Sequence, residues 1–276
     1  MSARDVGAAA QVDPALVPGV ETEMATWPPV RLVVTGQGWR AGLSGGLTRR
    51  ANSAVALVAP PAGVAAAVDE VEAVYADAGL PAVMRVGRAG LQDEVRAELD
   101  GRGWVERSLA HVLARDLAGL PGTASTGPAR TVVAHDPDDA WLDLHLDVKT
   151  GGAANPDDRR RATARAILTG GDAWHLAAYD GDALVGIIRV ARAGRWGALS
   201  CLAVRPEHRR RGLGRLLTLR ALEVAREHGA SHAFLQVEAH NAGAAALYGD
   251  LGFDQVDVYS YLERPARDGS STGGGC

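Results

Sequence analysis

The chain has 276 residues, 47% hydrophobic and 22% charged, with a formal net charge of −4 from 29 basic and 33 acidic side chains. That balance is ordinary for a globular protein and carries no global positive field, which speaks against a nucleic-acid partner. No apolar run approaches a membrane span, and the length suffices for one large domain or two of common size.

The N-terminal stretch MSARDVGAAAQVDPALVPGVETE lacks a basic region followed by an apolar core, so it does not read as a signal peptide. Residues 1–26 are set apart as an extension. The two cysteines, Cys201 in an apolar run and Cys276 at the end of the chain, offer no disulfide framework, and a reducing cytoplasm is the expected compartment. The eight histidines do not cluster with thiols. His145, between Asp143 and Asp147, reads as part of an amphipathic helix, so no metal is expected.

In chain order, SGG at 44–46 suits a hairpin turn that would leave Arg49, Arg50 and Asn52 on a solvated strand. The spacing then predicts a strand over 52–60, a helix over 64–79, a strand over 82–86, a helix over 91–104 and a strand over 106–117. Residues 119–130, GLPGTASTGPAR, read as a linker. In NPDDRRRATARAIL, Asn155 is the expected cap, Pro156 the first helical residue and Asp157–Arg161 an i,i+4 pair. The second half continues with a strand over 197–204, a helix over 212–229, a strand over 232–239, a helix over 241–253 and a strand over 255–263. The tail, DGSSTGGGC, reads as disordered.

The halves repeat one another. Gly79 falls where Gly229 does, each ending a helix, and LDGRGW at 99–104 matches YGDLGF at 248–253. A period of this size indicates a duplicated domain, divided here as 27–118 and 131–264. The first half has APPAGVAA where the second has VRPEHRRRGLGRLL, and Leu99 where the second has Tyr248. The backbone pattern is repeated; the chemical groups are not.

Arg209, Arg210 and Arg211 stand just before a helix N-terminus, where cations are unfavourable. In that helix Leu213, Leu216, Leu217, Leu222, Val224 and Ala225 form an apolar face, with Arg215, Arg220, Glu223 and Arg226 outward. Glycines at 212 and 214 clear side-chain atoms from the unpaired first amides of the helix, which together can form an anion nest. The arginines make sense if a pyrophosphate binds there. No Gly-Lys-Ser/Thr follows, and position 217 is Leu rather than a third glycine, so neither a Walker loop nor a dinucleotide fingerprint fits.

The R-x-x-G-x-G run after an apolar strand resembles the acetyl-CoA signature of the GNAT N-acetyltransferase family. VEAHNAGAAALYGDLGF resembles that family's second signature, with Asn241 capping a helix and Tyr248 about two turns on. The resemblance covers 131–264. GWRAGLSGGLTRRANSAVAL resembles the N-terminal module of tandem GNAT proteins of actinobacterial type, in which a degenerate module precedes the active one. The fold so implied is α/β (α+β), a mixed twisted sheet with flanking helices in each half. Acetyl-CoA is the implied cosubstrate, its pantetheine held by the backbone of Leu202, Ala203 and Val204 and by Asn241. Its pyrophosphate would lie on the amides of Arg210, Arg211, Gly212, Leu213, Gly214 and Arg215. Tyr248 would protonate the departing thiolate, and Glu238 is the candidate base, or else a salt-bridged strand-end carboxylate. The implied acceptor is an amine of a small molecule or peptide, on a monomer or homodimer. A CoA-binding regulatory protein without turnover is the alternative.

Overall fold

In the computed structural model, which describes residues 14–88, 90–120, 129–150 and 157–265, eleven strands form one sheet. In chain order the elements are α1 (Gly19–Thr26), β1 (Arg31–Val34), β2 (Arg40–Leu43), β3 (Ala54–Val55), α2 (Val64–Asp77), β4 (Val83–Val86), α3 (Leu91–Gly101) and β5 (Val105–Asp116). The second half adds β6 (Arg130–Ala134), α4 (Asp139–Thr150), α5 (Asp158–Thr169), β7 (Asp172–Asp180), β8 (Ala183–Ala193) and β9 (Trp196–Val204). It ends with α6 (Leu213–Glu227), β10 (His232–Glu238), α7 (Ala242–Gly249) and β11 (Asp254–Glu263).

Across the sheet the order is β1-β2-β3-β4-β11-β5-β10-β9-β8-β7-β6. Only β3 with β4 and β9 with β10 run parallel; the other pairs are antiparallel. The last strand of each half is exchanged. β11 lies between β4 and β5 of the first half, and β5 lies between β11 and β10 of the second.

The repeat read from the glycines is present in the backbone. Gly79 and Gly229 both have positive φ, and the following residue donates back to a carbonyl in the preceding helix, Leu80 to Tyr75 and Ala230 to Ala225. Gly103 and Gly252 share a φ of 76°, with Trp104 donating to Leu99 and Phe253 to Tyr248. These are the bonds that a left-handed glycine makes at a helix end.

Side chains alternate across the strands, as the pleat requires. Leu113 of β5 packs with α6 and α7 in a core containing Leu217, Ala221, Val237 and Tyr248. Val112 and Ala114 face the other way, with Phe234, Tyr259 and Tyr261. On that second face α4 and α5 bury Trp141, Leu144, Ile167 and Leu168 together with Trp27, Leu47 and Ala51 from the first half. α2 and α3 cover a separate core around Trp39, Tyr75, Met84 and Leu99.

Several expectations are corrected. The strand expected over 52–60 shrinks to Ala54–Val55, because side chains take its carbonyls: Trp39 Nε1 donates to Val58 and Gln92 Nε2 to Ala56. Residues 47–53 form a turn, not a solvated strand. Asn52 is buried in it, accepting from the amides of Ser44 and Gly46 and donating to the carbonyls of Leu47 and Thr48. Asp157 caps α5, accepting from Arg160 N at 2.7 Å, so the helix starts two residues after the expected Pro156; Asn155 and Pro156 lie outside the described residues. Arg161 pairs with Asp143 and Asp139 rather than Asp157. Glu223 is buried beside Arg220, not outward. The linker over 119–130 falls largely, and the tail almost wholly, outside the described residues, as does Cys276.

Candidate active site

β9 and β10 stay in parallel register only from Trp196↔His232 to Leu199↔Leu235. Beyond that the strands part. β9 is distorted at the same place: its pairing with β8 jumps between Ile187↔Ala203 and Arg189↔Ser200, and Cys201 sits at φ 58°. A non-glycine residue in the left-handed region inside a strand marks a bulge, and bulges re-aim the backbone. The edge of β9 from Ser200 to Val204 is therefore left without a strand partner on the β10 side. In the gap lies a cleft of about 710 Å³ whose walls include Leu202, Ala203, Val237, Glu238, Asn241 and Tyr248. Ser200 Oγ and Gln236 Oε1 are buried there without a hydrogen-bond partner among the described residues. Orphaned polar atoms are rare in native interiors, and these two stand where an amide-bearing ligand arm would satisfy them.

At the mouth of the gap α6 begins. Gly212, at φ 78°, precedes its first turn, no side chain caps it, and helical bonding starts with Leu216 N–H donating to Gly212 C=O. The amides ahead of Leu216 are the free donors of a helix start. Arg210 shares the left-handed geometry at φ 62° while Arg211 between them does not, and such alternation of handedness along successive residues is the backbone form of an anion nest. A Cβ at Gly212 would meet nothing within 4 Å, whereas one at Gly214 would meet Leu247 at 3.4 Å. Gly212 is thus required by its φ, while a Cβ at Gly214 would only touch Leu247 of α7 at ordinary contact distance. Arg209 Nε donates to Val204 C=O at 3.1 Å, and Arg211 lies 3.6 Å from Asp180. Arg210 and Arg215 form no ion pair among the described residues.

Asn241 caps α7, accepting from Ala244 N at 3.1 Å. Tyr248 is 8% exposed, its ring edge-on to Phe253 and its side chain on the cleft wall. Burial, with a contribution from Cys201, pushes its phenol up to about 12. Glu238 ends β10, exposed, with its carboxylate 3.3 Å from His240 Nε2. The residues that the resemblance assigns to acetyl-CoA and to catalysis thus fall in two adjoining places, the parted strands and the start of α6. Nothing in the sequence marks the left-handed Cys201, nor Tyr259 and Tyr261, which the exchanged strand β11 carries to the cleft wall. The phenols' period-two spacing was the only available hint.

A gap between two parallel strands, entered beside an uncapped glycine-rich helix start, defines a GNAT acyltransferase fold, with the strand exchange of its two halves marking a tandem form. Comparison with known proteins agrees. Residues 19–262 match the family model described as probable histone acetyltransferase Rv0428c C-terminal, and the chain belongs to that family. It is 24% identical over 237 residues to the uncharacterized N-acetyltransferase YobR of Bacillus subtilis, covering 86% of this chain and 94% of the relative. In fold it is similar to a GCN5-related N-acetyltransferase from Kribbella flavida, with a TM-score of 0.65 and 19% identity over 89% of this chain and 95% of the other. A tandem GNAT protein from the clavulanic acid biosynthesis pathway gives a TM-score of 0.59 at 20% identity, covering 89% and 88%. The chain is a GNAT N-acetyltransferase. Among the described residues no group of histidine, cysteine and carboxylate side chains could hold a metal, and no helix is long and apolar enough to cross a membrane.

Proposed function

We propose that the protein transfers an acetyl group from acetyl-CoA to a primary amine. The observation that carries this reading is the alignment of three features along one cleft: free amides at the start of α6, unpaired backbone in β9, and the Tyr248 phenol beyond them. Acetyl-CoA, when bound, supplies an activated thioester. The amides of 213–215, with Arg210 and Arg215 beside them, suit its pyrophosphate. The β9 edge at Leu202, Ala203 and Val204 offers a strand-like partner to the pantetheine amides, with Asn241 at the entry of α7.

The backbone N–H groups along the β9 edge at Leu202 to Val204 are fixed donors for negative charge developing on a carbonyl oxygen. Tyr248 keeps its proton throughout the working range because burial disfavours the phenolate. As negative charge develops on the departing sulfur beside it, the phenol holds that charge by hydrogen bonding and passes on its proton. Glu238, open to water at the end of β10, accepts the amine proton directly or through water. A regulatory protein that only binds CoA has no use for such a phenol, which favours the enzyme.

Tyr248→Phe tests the reading. It should lower kcat by about a hundredfold, within the range for general acid–base groups, while calorimetry finds acetyl-CoA affinity within about threefold of wild type. An unchanged kcat removes Tyr248 from the proton path, and failure of the wild-type protein to bind acetyl-CoA removes the donor assignment.

A further inference from the structure

The cleft passes through the sheet, and its two ends differ in charge. The α6 end carries the arginines suited to the pyrophosphate. The other end opens on the opposite face, between α4 and the turn at 47–53, and is lined by Arg49, Arg50, Arg160, His145, Tyr259 and Tyr261.

Arg50 is half-buried, with its guanidinium 5.1 Å from the Trp27 ring, and forms no ion pair among the described residues. Arg189, fully buried, approaches the same ring at 5.3 Å. Two of its nitrogens are occupied, Nε by Leu168 C=O at 2.8 Å and Nη1 by Thr26 C=O at 2.9 Å, but Nη2 has no hydrogen-bond partner among the described residues. Burial, opposed by Cys201 and aided by the charge of Arg50, brings Arg189 down to about 10. Two cations around one indole, neither in an ion pair with a carboxylate among the described residues, are costly unless something negative joins them.

Among the described residues, the carboxylates nearest these cations have other partners. Glu23 is committed to Arg85, at 2.8 Å, and to Gln236. Glu263 is shared between Arg49, at 3.9 Å, and Arg107, at 3.8 Å. Glu238 stands at the strand end with His240. The phosphates of a CoA held at α6 lie on the other face of the sheet, so they cannot supply the charge either.

We infer that the amine acceptor carries an oxyanion of its own, a carboxylate or a phosphate, and that Arg50, held on Trp27 by the first half of the chain, is the residue that selects it. This rests on the transfer reading above and adds to it the acceptor's chemical class. Acceptors lacking the anion leave the arginines uncompensated and bind poorly. Arg50 acts on binding rather than on the reacting atoms, so its removal should appear in KM and leave kcat nearly intact.

The experiment pairs each amine with a neutralised analogue: amino acids with their methyl esters, and amino-alkyl phosphates with amino alcohols. CoA release is measured for the wild type, Arg50→Ala and Arg50→Lys. The acidic member of at least one pair should be preferred by roughly tenfold or more in kcat/KM. Arg50→Ala should abolish that preference through KM, with the KM for acetyl-CoA unchanged, and Arg50→Lys should restore part of it. The carboxylate and phosphate arms show which oxyanion is read. Equal use of acid and neutral members, or best use of a basic peptide, overturns the inference. If acetyl-CoA binds but no amine is turned over, the transfer reading fails on its own. The charge inference is then judged by calorimetric binding of the same pairs to the protein–CoA complex, where equal affinities overturn it.

Discussion

Gln92 in the first half and Asn241 in the second occupy matching places once LDGRGW is laid on YGDLGF, and they treat the space between their parallel strands differently. Gln92 reaches across it. Its Nε2 donates to Ala56 C=O at 2.9 Å, and its Oε1 accepts from Gly87 N at 3.2 Å, so one side chain ties β3's end to β4's. Leu99, fully buried, fills the place of Tyr248. Asn241 turns instead to its own helix and leaves the gap open. The first half therefore uses its own amide where the second leaves room for a ligand's. A duplicated backbone can keep its shape while one copy closes the site by supplying the ligand's hydrogen bonds from within.

Separating the halves should have the largest effect. Residues 129–276 alone lack β5, so β10 and β11 lose the strand between them. That fragment should fail to give a cooperative thermal transition or to bind acetyl-CoA, and co-expression with residues 1–120 should restore both. A fragment that folds and binds by itself would show the exchange to be dispensable. A second contrast is acid sensitivity. His175 of the second half is buried, and burial, together with the charge of Arg189, lowers it from 6.5 to about 4. The unfolded chain takes up a proton there as pH falls below 6.5, while the folded chain does not until about 4. Stability should accordingly be untouched at pH 7 and fall by about 3 kcal/mol between those limits. Denaturant titrations should see that slope flatten in His175→Gln. The smallest effect should come from the plug itself. Gln92→Ala strands two part-buried backbone groups and should cost about 1–3 kcal/mol, with kcat and KM for acetyl-CoA unchanged; a change in either would mean that the first half's gap communicates with the second.

The features read correctly from sequence are local ones. The glycine helix ends, the Asn241 cap and the Arg209–Gly214 turn each depend on a few neighbouring residues, whose backbone demands are visible in their types. The features missed depend on distant partners. Nothing near Cys201 announces a left-handed residue in a strand, because the bulge is set by the pairing with β8. Arg50 looked like a solvated charge because Trp27, its platform, is far away in sequence and belongs to another element. Glu223 looked outward on a helical wheel, yet Arg220 allows it to be buried. The strands between 172 and 193 show no period-two alternation to mark them, because β8 is buried on both faces with even Arg189 inside.

The position of β11 has a consequence for how the molecule is made. β11, which follows all the other described elements in the chain, fills the slot between β4 and β5, so the first half cannot be completed until the second half has been synthesised. Until then two strand edges near the middle of the sheet stand open, each able to recruit a neighbouring nascent chain. Premature termination ahead of Asp254 would leave an unfinished sheet rather than a shorter enzyme, and the yield of active protein should depend on chaperone supply more steeply than its size alone suggests.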